Sequence, residues 1–108
     1  MRMITYKGKT TNEGVGPQIV LRNERLLSPK ASLKLYPHSP GGFNWGYGGS
    51  GPAQLALALL YNTTHGKNLA LDNYQAFKWD HVSRWGDSWQ ITDQDILAWL
   101  RERGVNHA

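Results

Sequence analysis

The chain of 108 residues contains no cysteine, which excludes disulfides, thiolate catalysis and cysteine-ligated zinc. Small secreted domains commonly depend on disulfides, so this absence favours the cytoplasm. The sequence has no apolar run near the roughly 20 residues of a membrane-spanning helix. Residues 1–11 also lack the apolar core of a signal peptide. We therefore expect a cytoplasmic protein without membrane association.

The sequence also lacks the spacings that hold metals and nucleotides. No two of its four histidines lie four residues apart on one predicted helix, so no metal site is expected. Gly46, Gly48 and Gly51 fit the dinucleotide spacing G-x-G-x-x-G, but no apolar strand precedes them. Gly46 and Gly51 also fit a P-loop, but Pro52 and Ala53 replace its phosphate-binding Lys and its Ser or Thr. We expect no cofactor, and in particular no nucleotide cofactor.

The net charge of the whole chain is +4, and its positive charge is concentrated in the N-terminal part. Residues 1–40 carry seven Lys or Arg and two Glu, whereas residues 41–108 carry five Lys or Arg and six Asp or Glu. A basic segment of this kind is typical of proteins with an anionic partner. It is equally typical of solvated strand edges, where Lys and Arg discourage edge-to-edge pairing.

Patterning predicts a single α+β domain over residues 1–108. β-branched and aromatic residues predict a small N-terminal antiparallel sheet of two to three strands, over residues 3–8, 18–22 and 25–27. Apolar periodicity predicts three helices that pack against this sheet, over residues 52–61, 69–85 and 93–103.

Helix 52–61 is apolar on nearly every side, which predicts that it is the central core helix. Gly66 is expected to take a left-handed conformation after this helix, and Thr92 to cap the last helix. Residues 89–91 are expected to form a short extended piece. Residues 32–35 fit a short helix or an extended stretch.

Ser50 has two interpretations. As a nucleophile on a sharp turn it would make the protein a small hydrolase or transferase. However, Pro52 stands where the motif G-x-S-x-G requires its last glycine, and the spacing selects no histidine as the base. As the N-cap of the following helix, Ser50 needs no catalytic role. We favour the cap and expect the protein not to be an enzyme, with the hydrolase kept as an alternative.

Several aromatic residues are not needed for the predicted helix faces, notably Trp45, Tyr47 and Trp79. Aromatic rings beside basic residues stack on nucleobases or anchor protein interfaces. They can equally pack against glycine backbone. The sequence thus favours a non-catalytic binding module whose partner is a nucleic acid or a protein. The predicted contact residues are Trp45, Tyr47, Gly48, Gly49, Ser50, Gly51, Arg22, Arg25 and Lys34.

The run WGYGGSGPAQLA, residues 45–56, resembles the signature of an uncharacterised domain-of-unknown-function family of short bacterial, archaeal and viral proteins. The resemblance extends over most of the chain, through Tyr6 and Gly8, Leu35 with residues 38–40, Tyr74 with residues 77–78, and Trp89, Thr92, Ile96, Trp99 and Leu100. It implies no activity and no catalytic residues. The viral members imply, as a further alternative, a host-interaction or anti-defence protein that acts by binding another protein.

Overall fold

The computed structural model describes residues 3–106 and contains a four-stranded antiparallel sheet. Its strands are β1 (Thr5–Lys9), β2 (Val20–Arg22), β3 (Arg25–Leu26) and β4 (Ser88–Thr92), in the order β3-β2-β1-β4. Side chains alternate across a strand, so Tyr6, its partner in register Ile91, and Trp89, which pairs with Gly8, are buried on one face. That face forms one wall of the core.

Four α-helices accompany the sheet: α1 (Lys30–Leu35), α2 (Ser50–Thr64), α3 (Lys67–Asp80) and α4 (Asp93–Glu102). In α2, every residue from Gly51 to Leu60 is buried. Its most extensive contacts are with α3, and α1 and α4 pack against it as well. The expectation that this segment is the central core helix is confirmed, because a helix that is apolar all round must be covered on all sides.

The α+β class is confirmed, but the sheet has one strand more than expected. Residues 88–92 form β4, which pairs with β1 from Thr5↔Thr92 to Lys9↔Ser88. Partners that lie 79 to 87 residues apart along the chain leave no local signal, so the sequence pattern predicts only a short extended piece here. The ambiguous segment near residue 32 is helical, as α1.

The helix ends differ from the expectations at two positions. The N-cap of α2 is Gly49 and not Ser50, and no side chain caps the first turn. The left-handed residue after α2 is His65, at φ 58°, whereas Gly66 has φ −95°. The expectations for Thr92 and α4 are confirmed: Thr92 accepts from the backbone N–H of Asp95, and the Asp95 carboxylate accepts from the N–H of Thr92.

Candidate functional site

Two glycines of residues 46–51, Gly48 and Gly49, lie directly against aromatic rings, and Gly51 lies against Asn44. A Cβ built on Gly48 would lie 2.6 Å from Cζ3 of Trp79, and one on Gly49 would lie 2.5 Å from Cε2 of Tyr47. A Cβ on Gly51 would lie 2.7 Å from Cβ of Asn44 and 3.2 Å from the Tyr47 hydroxyl. Only glycine allows these rings to approach the backbone so closely. At these three positions the glycines therefore serve the packing of the loop.

Trp45 lies in the core and does not offer its ring to a partner. It is 5% exposed, and its Nε1–H donates to the carbonyl oxygen of Gly86 at 2.9 Å. Its ring meets that of Trp89 edge to face, and both rings cover Gly8 of β1. The expectation that Trp45 forms part of a contact surface is therefore corrected: its ring fills the space that glycine leaves on the sheet.

Tyr47 and Trp79 remain on the surface, at 49% and 56% exposure. A third exposed aromatic residue, Tyr36, stacks on His38 with ring centroids 4.4 Å apart. We call the set Tyr36, His38, Tyr47 and Trp79 the aromatic surface. The buried Lys78 lies beneath it, against Trp79. This surface lies beside the N-terminus of α2.

Gln54 of α2 holds the His38 segment in place. This fully buried amide accepts the backbone N–H groups of His38 and Ser39, at 2.7 and 2.9 Å. Its Nε2 donates to the Ser32 hydroxyl and to the Tyr36 carbonyl. A buried amide with all of these bonds satisfied fixes a loop firmly, so the aromatic surface is anchored to the core helix.

Lys78 is a buried cation without a carboxylate partner among residues 3–106. It is 6% exposed, and its Nζ donates to the carbonyl oxygen of Gly48 at 3.1 Å and lies 4.2 Å from the ring centroid of Trp79. The one salt bridge in the described part of the chain joins Lys7 to Glu24, on the sheet. A buried charge is rare unless it is paired. Lys78 therefore leaves uncompensated positive charge beneath the aromatic surface.

His38 shares this environment. One of its ring nitrogens forms a short hydrogen bond with the hydroxyl of Tyr74, which lies one turn before Lys78 on α3. Burial lowers the pKa of His38 from its ordinary value, and the charge of Lys78 lowers it further. His38 thus stays neutral at a lower pH than a free imidazole does.

Ser50 borders a cleft of about 250 Å³ at the start of α2, but the cleft contains no base for it. The lining residues come from segments 16–17, 39–44, 47 and 50–51, and none is a histidine, an aspartate or a glutamate. A serine nucleophile needs such a partner within hydrogen-bond reach. No group of three or more His, Asp or Glu in the described chain is arranged to hold a metal ion. The geometry thus offers no support for catalysis at Ser50.

Arg22, one of the predicted basic residues, does not lie beside the glycine loop. Nε of Arg22 donates to Oδ1 of Asn62 at 2.8 Å. Asn62 lies twelve residues after Ser50 in α2, which is roughly 18 Å along the helix axis. The prediction that Arg22 and the glycine loop share a contact surface is therefore corrected. Arg25 and Lys34 are both exposed, on β3 and α1.

Negative charge is absent from a long middle segment of the sequence. No Asp or Glu occurs between Glu24 and Asp72. This stretch forms β3, α1, the glycine loop and α2, and it carries the exposed cations Arg25, Lys30 and Lys34. The acid-free stretch includes Tyr36, His38 and Tyr47 of the aromatic surface. None of these three cations forms a salt bridge with a described residue.

Sequence reasoning missed three of the residues at this site: Tyr36, His38 and Lys78. A signal for Lys78 was present, because Tyr74 and Lys78 lie four residues apart and so share one face of α3. No comparable signal existed for Tyr36 and His38, since Gln54 brings their loop to α2 through tertiary hydrogen bonds.

A family model described as a family of unknown function, DUF6166, matches residues 6–102. The match covers most of the chain and includes the strands, helices and loop described above. No curated protein and no solved structure matches the chain. No helix in residues 3–106 is long and apolar enough to cross a membrane.

Proposed function

The chain belongs to this family of unknown function, DUF6166, and we propose that it is a non-catalytic binding domain for single-stranded nucleic acid. The aromatic surface is the contact site in this proposal, with Tyr47 and Trp79 as the stacking residues. The observation that carries the proposal is the pair of exposed rings beside the unpaired cation Lys78.

Stacking accounts for the role of the aromatic rings. Unpaired bases stack on exposed aromatic side chains, and each such contact contributes about 1–3 kcal/mol to affinity. Tyr47 and Trp79 lie against backbone glycines, and about half of each side chain is exposed. A supported ring loses little conformational entropy on binding.

Phosphate attraction accounts for the charge. Lys78 has no carboxylate partner among the described residues, and Lys30 and Lys34 lie in the acid-free stretch. The first-turn N–H groups of α2 also lack a side-chain cap, and the N-terminus of a helix favours negative charge. Base stacking and phosphate attraction together describe a single-strand binding surface.

Fluorescence polarisation with fluorescein-labelled dT12 and U12 tests the proposal. If about three phosphates are contacted, the dissociation constant should rise roughly 20-fold between 50 and 200 mM NaCl. Trp79→Ala should weaken binding roughly 5- to 150-fold. Trp79→Phe, which keeps an aromatic face, should retain most of the affinity.

Two matched controls separate the surface from nonspecific effects. Leu26→Ala removes an exposed apolar side chain from β3 and should leave binding unchanged. Lys9→Gln on β1 and Lys34→Gln on α1 remove the same charge, but only Lys34→Gln should reduce the salt dependence. Absence of binding at 50 mM NaCl, or equal losses from both lysine changes, would refute the proposal.

A protein partner is the second candidate, because half-exposed Trp and Tyr side chains are also typical of interface anchors. It covers the host-interaction alternative. Failure of both oligonucleotides to bind would favour it, and capture of a partner that is lost with Trp79→Ala would then support it. The hydrolase alternative has no support from the cleft at Ser50, for the reason given above.

A further inference from the structure

Strand β4 forms an open edge of the sheet. Two backbone hydrogen bonds show which residue pairs of β4 and β1 are bonded. Asp93 N–H donates to the Ile4 carbonyl, and Thr10 N–H donates to the Asp87 carbonyl. Antiparallel pairs alternate between bonded and non-bonded, so the backbone groups of Ser88 and Gln90 point away from β1. No backbone hydrogen bond joins these outward groups to another element in the described chain. Ser88 and Gln90 are exposed.

A cleft of about 410 Å³ lies beside this edge, and its charged side chains are acidic. Gln90 borders it together with Trp85, Trp99 and the carboxylates Asp95 and Glu102. No Lys or Arg is among the residues that line it. Asp95 also closes the cap of α4, whereas Glu102 forms no salt bridge with a described residue.

We propose that the β4 edge and this cleft receive an extended peptide segment of a protein partner that carries a Lys or Arg side chain. The peptide adds a fifth strand by pairing with the outward groups of Ser88 and Gln90, and its basic side chain enters the cleft. Strand addition to an exposed edge is a common mode of peptide recognition, with main-chain bonds for affinity and pockets for selectivity. This site is separate from the aromatic surface and does not depend on the function proposed for it.

Charge selects the occupant. Two carboxylates and the rings of Trp85 and Trp99 suit an aliphatic stem with a cationic end. Arg103 already lies over the Trp99 ring, 4.9 Å from its centroid, and the Asp80 carboxylate accepts the Nε1–H of Trp99 at 2.9 Å. The chain itself thus places a cation on this aromatic residue. A second copy is a poorer occupant, because its β3 edge has only two residues and its β4 edge carries no Lys or Arg.

Backbone amide spectra of the isotope-labelled full chain test the proposal, with the peptide acetyl-TVKVKVKT-amide as the probe. We expect the backbone amide signals of Ser88, Gln90 and Glu102 to shift as the peptide is added, with saturation below about 1 mM, a weak affinity that main-chain bonds alone can reach. The glutamate peptide acetyl-TVEVEVET-amide should bind at least about tenfold more weakly. N-methylation of alternate residues on the pairing side of the lysine peptide should reduce affinity about tenfold without altering the protein.

Two variants complete the design. Gln90→Pro removes an outward N–H without removing a bond to β1, and an edge strand tolerates proline at such a position. This variant should abolish binding. Gln90→Thr is the matched control and should bind normally. Glu102→Lys should reverse the preference between the two peptides even if Gln90→Pro fails to fold. Shifts that map elsewhere, equal binding of both peptides, or no effect of N-methylation would overturn the proposal. A change in oligomeric state instead of peptide binding would assign the edge to self-association and overturn it as well.

Discussion

Replacing Gly48 by Ala should destabilise the protein only while Trp79 is present. The new methyl group would lie 2.6 Å from Cζ3 of Trp79 and closer still to Cη2. Overpacking of this kind costs about 1–3 kcal/mol. Because Trp79 is half exposed, its ring can swing outward, so we expect the lower part of that range, about 1–2 kcal/mol.

The double mutant gives the sharper result. Trp79→Ala alone should cost about 1–2 kcal/mol, a fraction of the loss for a fully buried Trp. With the ring gone, Gly48→Ala should cost nothing and should stabilise by about 0.4–1 kcal/mol, since it restricts the unfolded chain. The interaction energy between the two changes should therefore be on the order of 2 kcal/mol.

Urea unfolding followed by far-ultraviolet circular dichroism measures all four proteins without relying on Trp fluorescence. Gly86→Ala is the matched control, because a Cβ there would meet no atom within 4 Å, and its effect should be the same with and without Trp79. If Gly48→Ala destabilises equally in both backgrounds, the ring is not the reason for the glycine. The account of the loop as aromatic packing on bare backbone would then be refuted.

Two further predictions concern hydrogen-bonded polar residues. Because the pKa of His38 is lowered in the folded state, the unfolded chain binds more protons than the folded chain as the pH falls below about 6.5, and stability should decrease there. Urea unfolding between pH 7.5 and 5 should show a smaller decrease in stability for His38→Gln than for the wild type. An identical decrease would contradict the assignment to His38. Tyr6→Phe removes a hydroxyl that donates to Oδ1 of Asn62 at 2.7 Å, and it should cost about 1–2 kcal/mol in urea unfolding, since Arg22 still donates to the same oxygen. Burial raises the pKa of Tyr6, so the wild type should also lose stability above about pH 10, a loss that the Phe variant should lack.

The candidate site shows how far local patterns extend. Tyr47 and Trp79 could be recognised from sequence as aromatic residues without an assigned core position, and both are exposed. Trp45 belonged to the same group but is buried, because Gly8 of β1 leaves room for its ring. That vacancy is on a strand 37 residues earlier in the chain. No pattern around Trp45 itself could have revealed it.

The predicted union of the glycine loop with Arg22 failed for a related reason. Charge counts give the composition of a segment but not its location in the fold. Arg22 pairs with Asn62 near the far end of α2, whereas the loop precedes the first turn of that helix. The cation that does lie at the loop, Lys78, comes from the segment whose overall charge is negative.

The sequence by itself determined the α+β class, the central helix, the cap at Thr92 and the family, because each depends on residues close together or on a long continuous match. Tertiary structure alone decided the pairing of β4 with β1, the burial of Trp45 and the position of Lys78 beneath Trp79. These features depend on which distant segments fill the space left by glycine and which backbone groups remain without a neighbour. Both are properties of the assembled chain, so the two proposed binding sites became visible only in the fold.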